Sequence, residues 1–512
     1  MGKIGQTNLC VLSITMSNFF LTILKSPFFW LTALFILTAK GHIEIVDTDY
    51  SIRTAKAIIE AGTMLIEPVD SNNRMPIIAG TDKIYSQYGI GILAIFVPIV
   101  AVAKLLSIAS GLNESLVTHF LLSFYNIPFA LLALWHFRSI LILLNQKKET
   151  ATFLTICLAV GTIFWKYVVT DFSEITQIAL LLGAIHAFVN VKYRKRWLLV
   201  SAYLSLLVLL KLVYVIVVPP FAILAIIEGK RNKCTIQNLM NGAAILLPSA
   251  LLLMFINWIR YGSIMESGYG SAQSDFSLNY LYRDWKDYLF SLDRGIIPYS
   301  PIILLGLIAI RKFYIINKRA LFLITTISIS LYLLTASWVG WKGGYCWGNR
   351  NLVPILPLLC ISWAFLDWKN LYQRTSILLL LFISIPIQIV GISLKTHEWS
   401  VLSREFKDHS DPYYVPSEIE GSTKLFYEKL FNSSGTYSSN TFVHEHHHTI
   451  NLSNYESFIG FNFWPVHACK LFDSSLVGII GNSVLGLSIL GVASLITFFY
   501  PKSTRDLSQT IN

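Results

Sequence analysis

The 512-residue chain is 54% hydrophobic and only 13% charged, with a mean hydropathy of +0.58. A soluble domain carries roughly 25% charged residues, so the composition excludes a soluble fold, and its apolar runs of about 20 residues point to an all-α polytopic membrane protein. The formal charge of +11 gives no reason to expect a nucleic-acid partner, because the basic residues gather in short clusters between apolar runs. Those runs are continuous rather than alternating, which excludes a β-barrel. The cysteines (Cys10, Cys157, Cys234, Cys346, Cys360, Cys469) are scattered, with no metal spacing and no disulfide framework.

In chain order, an amphipathic stretch Leu9–Lys25 is expected at the membrane interface, followed by a retained first span from Phe28 to Val46. A polar stretch, His42 to Tyr50, then brings Glu44, Asp47 and Asp49 to the end of that span. Ser51 to Gly62 has an amphipathic helical pattern and leads into a polar loop. Further apolar runs lie near 88–108, 116–144, 150–169, 174–191, 197–210, 212–228, 236–258, 298–310, 320–338, 353–366, 375–396 and 477–500.

Basic clusters should be cytoplasmic. They stand at Lys147/Lys148, Lys192–Arg196, Lys230–Lys233, Arg311–Arg319, Lys369/Arg374 and Lys502/Arg505. If every run crossed, the first two clusters would fall outside. Making 88–108 a re-entrant or surface-lying outer helix repairs every later loop, and that run opens with Gly89 and Gly91 and carries Pro98 and Lys104. About twelve spans then remain, with both termini cytoplasmic. The expected organisation is a transmembrane module over 1–396 with outer loop 47–87, a small outer segment over 397–476, and a last span and tail over 477–512.

The chemistry-bearing residues collect on the outer side. Glu44, Asp47 and Asp49 offer a general base next to the membrane surface; the competing reading makes Asp49 a first-turn acid of the following helix. Asp171 and Glu174 form a second acidic turn, with capping spacing as the alternative. Arg294, in Phe290 to Pro301, is placed to bind an anionic group. Three tryptophans, Tyr345, Lys342 and Arg350 crowd the stretch Trp338 to Pro357. An aromatic belt explains one or two of these aromatics, but not two cations on the outer side, so the stretch reads as a phosphate clamp with an aromatic platform. Lys211 sits inside an apolar hairpin and is a candidate for a cavity-facing role. No essential cofactor is expected; a divalent cation, Mg or Mn, would find ligands at Asp47 and Asp49 or in the His-rich tract at His444 and His446.

The order of these motifs resembles a family. An acidic loop after the first span, Tyr85-Ser-Gln-Tyr88-Gly-Ile-Gly91 opening a non-spanning helix, Asp171-Phe-Ser-Glu174, Phe290 to Pro301 and Gly343 to Pro354 together look like the GT-C superfamily of polyprenyl-phosphate-sugar-dependent glycosyltransferases. More narrowly, they look like its protein mannosyltransferase and aminoarabinose transferase branches. The resemblance covers about residues 25–400. It implies a GT-C-like fold and transfer of one sugar, hexosyl or pentosyl, from a polyprenyl-phosphate donor to a lipid, glycan or protein acceptor. The transfer would be a single inverting displacement on the outer face, with the site facing the periplasm or exterior of a bacterial inner membrane. It further implies that Asp47 or Asp49 activates the acceptor and that Arg350, with Lys342, binds the donor phosphate. Trp347, Tyr345, Arg294, Tyr85 and Tyr88 complete the expected donor site. Asn349 and Asn351 stand where the family has Pro and Tyr, a departure beside the expected clamp. The alternative function is a transporter or lipid flippase for an envelope precursor, which would use the same cavity without a base; a third is a structural subunit of an envelope-assembly complex.

Overall fold

The computed structural model describes residues 25–66, 84–193, 195–266, 268, 276–340, 342–344, 346–400, 417–431, 460–472 and 474–501. Leu9–Lys25, apart from its last residue, and the tract with His444 and His446 lie outside them. Among the described residues the regular structure is helical, with two isolated bridges, Leu65–Tyr85 and Phe276–Trp338. The helices are α1 (Pro27–Thr38), α2 (Val46–Ala61), α3 (Leu93–Ser110), α4 (Glu114–Leu122), α5 (Asn126–Leu143), α6 (Lys148–Gly161) and α7 (Phe164–Val168). Then come α8 (Glu174–Val189), α9 (Arg196–Leu210), α10 (Val218–Asn232), α11 (Thr235–Tyr261), α12 (Leu278–Phe290), α13 (Ile296–Tyr299) and α14 (Leu305–Ile316). The last are α15 (Lys318–Ala336), α16 (Leu356–Cys360), α17 (Leu371–Ser393), α18 (Glu418–Phe431), α19 (Trp464–Phe472) and α20 (Val477–Phe499).

Among the described residues seven helices are long and apolar enough to cross a membrane: Ile90–Ser110, Glu114–Leu143, Leu212–Asn232, α11, α15, α17 and α20. Four shorter apolar helices, α1, α8, α9 and Arg350–Phe365, accompany them. The chain is a multi-pass membrane protein. The first span is shorter than the sequence suggested, because α1 ends at Thr38 and residues 39–45 form a connector.

Two helices show how the bilayer inverts the usual rule of burial. In α8 every residue from Glu174 to Phe188 is buried, between α5 and α9. Gly183 allows this closeness, since a Cβ there would stand 2.4 Å from the Tyr203 ring of α9. By contrast α11, on the other side of α9, buries only Asn238, Asn257 and Arg260 and turns Leu247, Leu251, Phe255 and Trp258 outward. Lipid solvates those apolar side chains, while the polar ones must find protein.

The placement of α3 follows from α2. Tyr88, just before α3, reaches Asp47 at the start of α2, and Lys104 pairs with Glu60 near its end at 3.0 Å. Those anchors on α2 are about 20 Å apart at 1.5 Å per residue, so the helices run side by side in the same direction. A third pair, Lys56–Glu114 at 3.2 Å, ties the first residue of α4 to α2 as well. Asp47, Asp49, Arg53, Lys56 and Glu60 all lie in α2, which is too charged to cross. The charged α2 thus runs beside the apolar Ile90–Ser110, which is long enough to cross, and the reading of 88–108 as a non-crossing helix rests on the charge pattern of the loops. Gly89 and Gly91 make the entry possible: a Cβ on either would collide with the backbone of Leu210, at 2.0 and 2.6 Å.

The described parts of 397–476 pack onto the bundle, α18 against α17 and α19 against α20, and Leu425, Phe426, Phe461 and Phe463 join the main hydrophobic core.

Candidate active site

Residues 39–45 turn the chain from α1 into α2, and the start of α2 is held from a distance. The carboxylate of Asp171, in the turn between α7 and α8, accepts the backbone N–H groups of Glu44 (3.2 Å) and Ile45 (3.0 Å). The Asp171 carbonyl accepts from the Thr48 and Tyr125 hydroxyls. Asp171 thus satisfies N–H groups at the start of α2, whose own N-cap, Ile45, has no side chain for the task. Burial, with the Glu44 charge next, pushes the Asp171 carboxyl up to about 7, against the backbone hydrogen bonds that lower it. Asn126 fixes the turn itself, donating to the carbonyls of Thr170 (2.8 Å) and Phe172 (2.7 Å).

On this footing Asp47 stands in the first turn of α2. The Tyr88 hydroxyl donates to its Oδ1 at 2.7 Å, and Arg350 Nη1 donates to its Oδ2 at 2.9 Å. Residues 47 and 350 are brought together across 303 positions of the chain. Arg350 opens the 3₁₀ turn Arg350–Ile355, which the Asn349 side chain caps through the Asn351 N–H at 3.1 Å. Its guanidinium stands 4.8 Å from the Phe172 ring, between the two acidic turns. Gly343, at φ +75°, leaves room for the Arg350 stem, which a Cβ there would meet at 2.9 Å.

Lys211 and Glu174 complete the group. Lys211, between α9 and the following 3₁₀ turn, holds its Nζ 3.9 Å from Glu174 Oε1. Glu174 and Asp47 both act electrostatically on Arg350 and on Lys211, so the four charges form one cluster. It has loose ends: Glu174 Oε2, Arg350 Nε and Asn351 Nδ2 are buried with no hydrogen-bond partner among the described residues. Two carboxylates face two cations, with two donors and an acceptor to spare. This arrangement can accept a proton and bind an anion within one cluster.

Other expected residues are placed elsewhere. Asp49 pairs with Arg53 one turn on, at 2.7 Å, and neither caps α2 nor joins Asp47. The two aspartates are two positions apart on a helix, which turns their side chains to different faces. Among the described residues no three His, Cys, Asp or Glu side chains converge as a metal site. Glu174 does not form a capping box with Asp171, because the N-cap of α8 is Ser173 and makes no side-chain cap. Arg294 is buried against Glu418 (2.7 Å) and donates to the Cys346 and Gly348 carbonyls, which fastens the loop that carries Arg350. Trp347 packs on Tyr299, ring centroids 4.9 Å apart, and its carbonyl accepts from Tyr167. Tyr85 is buried with its ring 6.3 Å from that of Tyr261. Lys342 is exposed, and Tyr345 lies outside the described residues.

Sequence reasoning missed the layer that adjoins this cluster. Glu44 is buried rather than catalytic in position. Its Oε1 accepts from His42 Nε2 (3.2 Å) and Asn462 Nδ2, and its Oε2 accepts from the N–H (3.1 Å) and hydroxyl (2.8 Å) of Thr396. Burial alone would raise its pKa, but His42 and the charges of Lys166 and Lys40 hold it well below the usual carboxylate range. Lys40 and Lys166 donate to the Ile392 and Leu394 carbonyls at the end of α17. Lys429 pairs with Glu398 at 2.6 Å and donates to the Gly460 carbonyl at 2.8 Å. A lysine just after an apolar run, as at 40, is the one sequence signal that marks this layer.

No protein-family profile and no curated protein matches the chain. Among solved structures it is similar to ArnT from Cupriavidus metallidurans bound to undecaprenyl phosphate, at 11% identity and a TM-score of 0.48, covering 92% of this chain and 76% of that one. The apo state of the same protein gives 11% identity and 0.47, covering 97% and 78%. An oligosaccharyltransferase from Archaeoglobus fulgidus in the apo form gives 10% identity and 0.48, covering 78% and 60%.

Proposed function

We propose that this chain is a membrane-embedded glycosyltransferase that moves a sugar from a polyprenyl-phosphate donor to a lipid, glycan or protein acceptor at the outer membrane face. The observation that carries the reading is the meeting of Asp47, Arg350, Glu174 and Lys211 in one charge cluster, with hydrogen-bonding groups left over. A base and a phosphate clamp are what such a transfer needs, since a lipid phosphate is already a good leaving group.

Asp47 Oδ2 takes the proton from the acceptor hydroxyl or amine. The acceptor heteroatom forms its bond to the sugar C1 while the C1–O bond to phosphate breaks on the opposite face, so the configuration inverts. The electron pair stays on the departing phosphate oxygen, where Arg350 and Lys211 meet the developing charge. Asp171 holds the first turn of α2 in place. Asp47 and Asp49 are turned apart and each faces an arginine, so the two do not converge on one cation.

The test is mass spectrometry of lipid-linked sugars and envelope glycans in cells lacking the chain. An accumulated polyprenyl-phosphate sugar, with loss of one glycan modification, is expected and identifies the donor. Unchanged lipid-linked sugars and glycans overturn the reading. The rival flippase has no use for a base: under it Asp47→Asn would leave product formation intact, whereas the transferase loses product and keeps donor binding.

A further inference from the structure

We propose that the Asp47–Arg350 ion pair is a lock on the base, and that a lipid-linked phosphate opens it by taking Arg350. This rests on the glycosyltransferase reading and adds an order of events: the donor must bind before the acceptor can be activated.

The argument starts from what each atom of the pair is doing. Both Asp47 oxygens are occupied, Oδ1 by the Tyr88 hydroxyl and Oδ2 by the Arg350 guanidinium. Oδ2 keeps a second lone pair while the guanidinium holds the first, but its negative charge is then paired with the clamp and not turned to an acceptor's proton. Tyr88 is a compatible neighbour for a working base, because it engages one oxygen and orients the carboxylate. Arg350 is not, because it engages the other oxygen with a full opposite charge. As found, the clamp and the base neutralise one another.

The same arginine is poised to leave. Its Nε has no hydrogen-bond partner among the described residues, and its guanidinium is supported from one face by Phe172 at 4.8 Å. A planar, ring-supported guanidinium can turn its edge from a carboxylate to a phosphate without giving up the stacking contact. The second ion pair offers a contrast within the same cluster. Lys211 and Glu174 stand 3.9 Å apart, beyond hydrogen-bond reach, so that pair holds neither partner tightly. Phosphate entering between the two cations satisfies Arg350 Nε, displaces Asp47 from Nη1, and leaves Asp47 held only by Tyr88, with Oδ2 open to the acceptor. Without a donor the base stays neutralised and does not activate water or a stray hydroxyl.

The experiment titrates a polyprenyl monophosphate against the full-length chain in lipid nanodiscs, for the unmodified protein, Asp47→Asn and Glu174→Gln. Both substitutions remove one negative charge from the cluster, and only the first removes a competitor from Arg350. The lock predicts binding about tenfold tighter for Asp47→Asn and only about twofold tighter for Glu174→Gln, since a ligand is weakened by the state that must be opened for it. Equal tightening in both variants, or no tightening in Asp47→Asn while the unmodified chain still binds, overturns the lock and leaves the glycosyltransferase reading standing. No binding of polyprenyl monophosphate by any of the three overturns both.

Discussion

Glu44 and Asp47 stand three positions apart and belong to two opposite kinds of charge cluster. Around Glu44 both carboxylate oxygens accept two hydrogen bonds each, and Lys40, Lys166, Lys429 and Glu398 are closed in with side chains or carbonyls. Around Asp47 the cluster is a third open to solvent at Asp47 and Lys211 (34% and 36% exposed) and keeps buried donors and an acceptor unused. Burying charge without full pairing costs several kcal/mol. A protein keeps such loose ends where a ligand will complete them, and it closes them where only architecture is required. The sealed cluster ties residues 39–45 to α17, α18 and the 460–467 segment, and the open one works on the support this provides.

The largest effect that would break or sharpen this contrast is on turnover. Asp47→Asn should lower the rate of sugar transfer by about 10²–10⁴-fold with donor binding retained, read by product formation against a binding titration. Arg350→Ala should lower it by about 10²–10³-fold and weaken polyprenyl-phosphate binding as well. In the sealed cluster the loss falls on stability instead. Glu398→Gln removes the carboxylate that pairs with the buried Lys429 ammonium and should cost about 3–5 kcal/mol, seen as a lower unfolding temperature in detergent, with turnover per folded molecule within about threefold. If Glu398→Gln removed activity without loosening the fold, the division between the clusters would fail.

Acid should separate them next. Glu44 has a pKa held below its ordinary 4.5, so its contribution to stability is present above about 4.5 and is lost as pH falls through its lower folded value. Asp171 has the opposite sign: raised from 3.8 to about 7, it favours the fold while protonated, and that contribution is lost as pH rises from about 4 to 7. Thermal melts of Asp171→Asn and the unmodified chain should therefore converge as pH falls toward 4; parallel curves would contradict the assignment. The smallest effect is expected at Asp49, whose exposed pair with Arg53 is worth about 0.3–0.5 kcal/mol. Asp49→Asn should change transfer less than twofold, and a loss as large as that of Asp47→Asn would return Asp49 to the site.

The helices were legible because lipid demands long apolar runs, and nearly every run read from the sequence became a helix within a few residues of its expected ends. Asp47, Arg350, Glu174 and Lys211 were legible for a related reason: ionisable groups at the ends of apolar runs are costly unless they have work to do. What stayed hidden was pairing. Nothing local to Glu44 announces Thr396 and Asn462 as its partners, and nothing local to Asp171 announces that it caps a helix more than a hundred residues earlier. Arg294 and Arg350 look alike in sequence, each in a glycine-containing loop, yet Glu418 pairs with the first and Asp47 with the second. Such assignments depend on long-range contacts that no periodicity records.

The helix pair α2–α3 has a consequence for how the chain is made. A segment of mean hydropathy 2.5, as Ile90–Ser110 is, would enter the bilayer readily by itself when it leaves the ribosome. It is tied to α2 by the Lys104–Glu60 pair, whose acid is already synthesised, and by Gly89 and Gly91 meeting the backbone at Leu210, which does not yet exist at that moment. On the topology that the charge rule predicts, the sidedness of everything downstream is settled late, by the lysines at 147 and 148 and by the arrival of α9. An early crossing by this one segment would place Asp47 and Arg350 on opposite sides of the membrane.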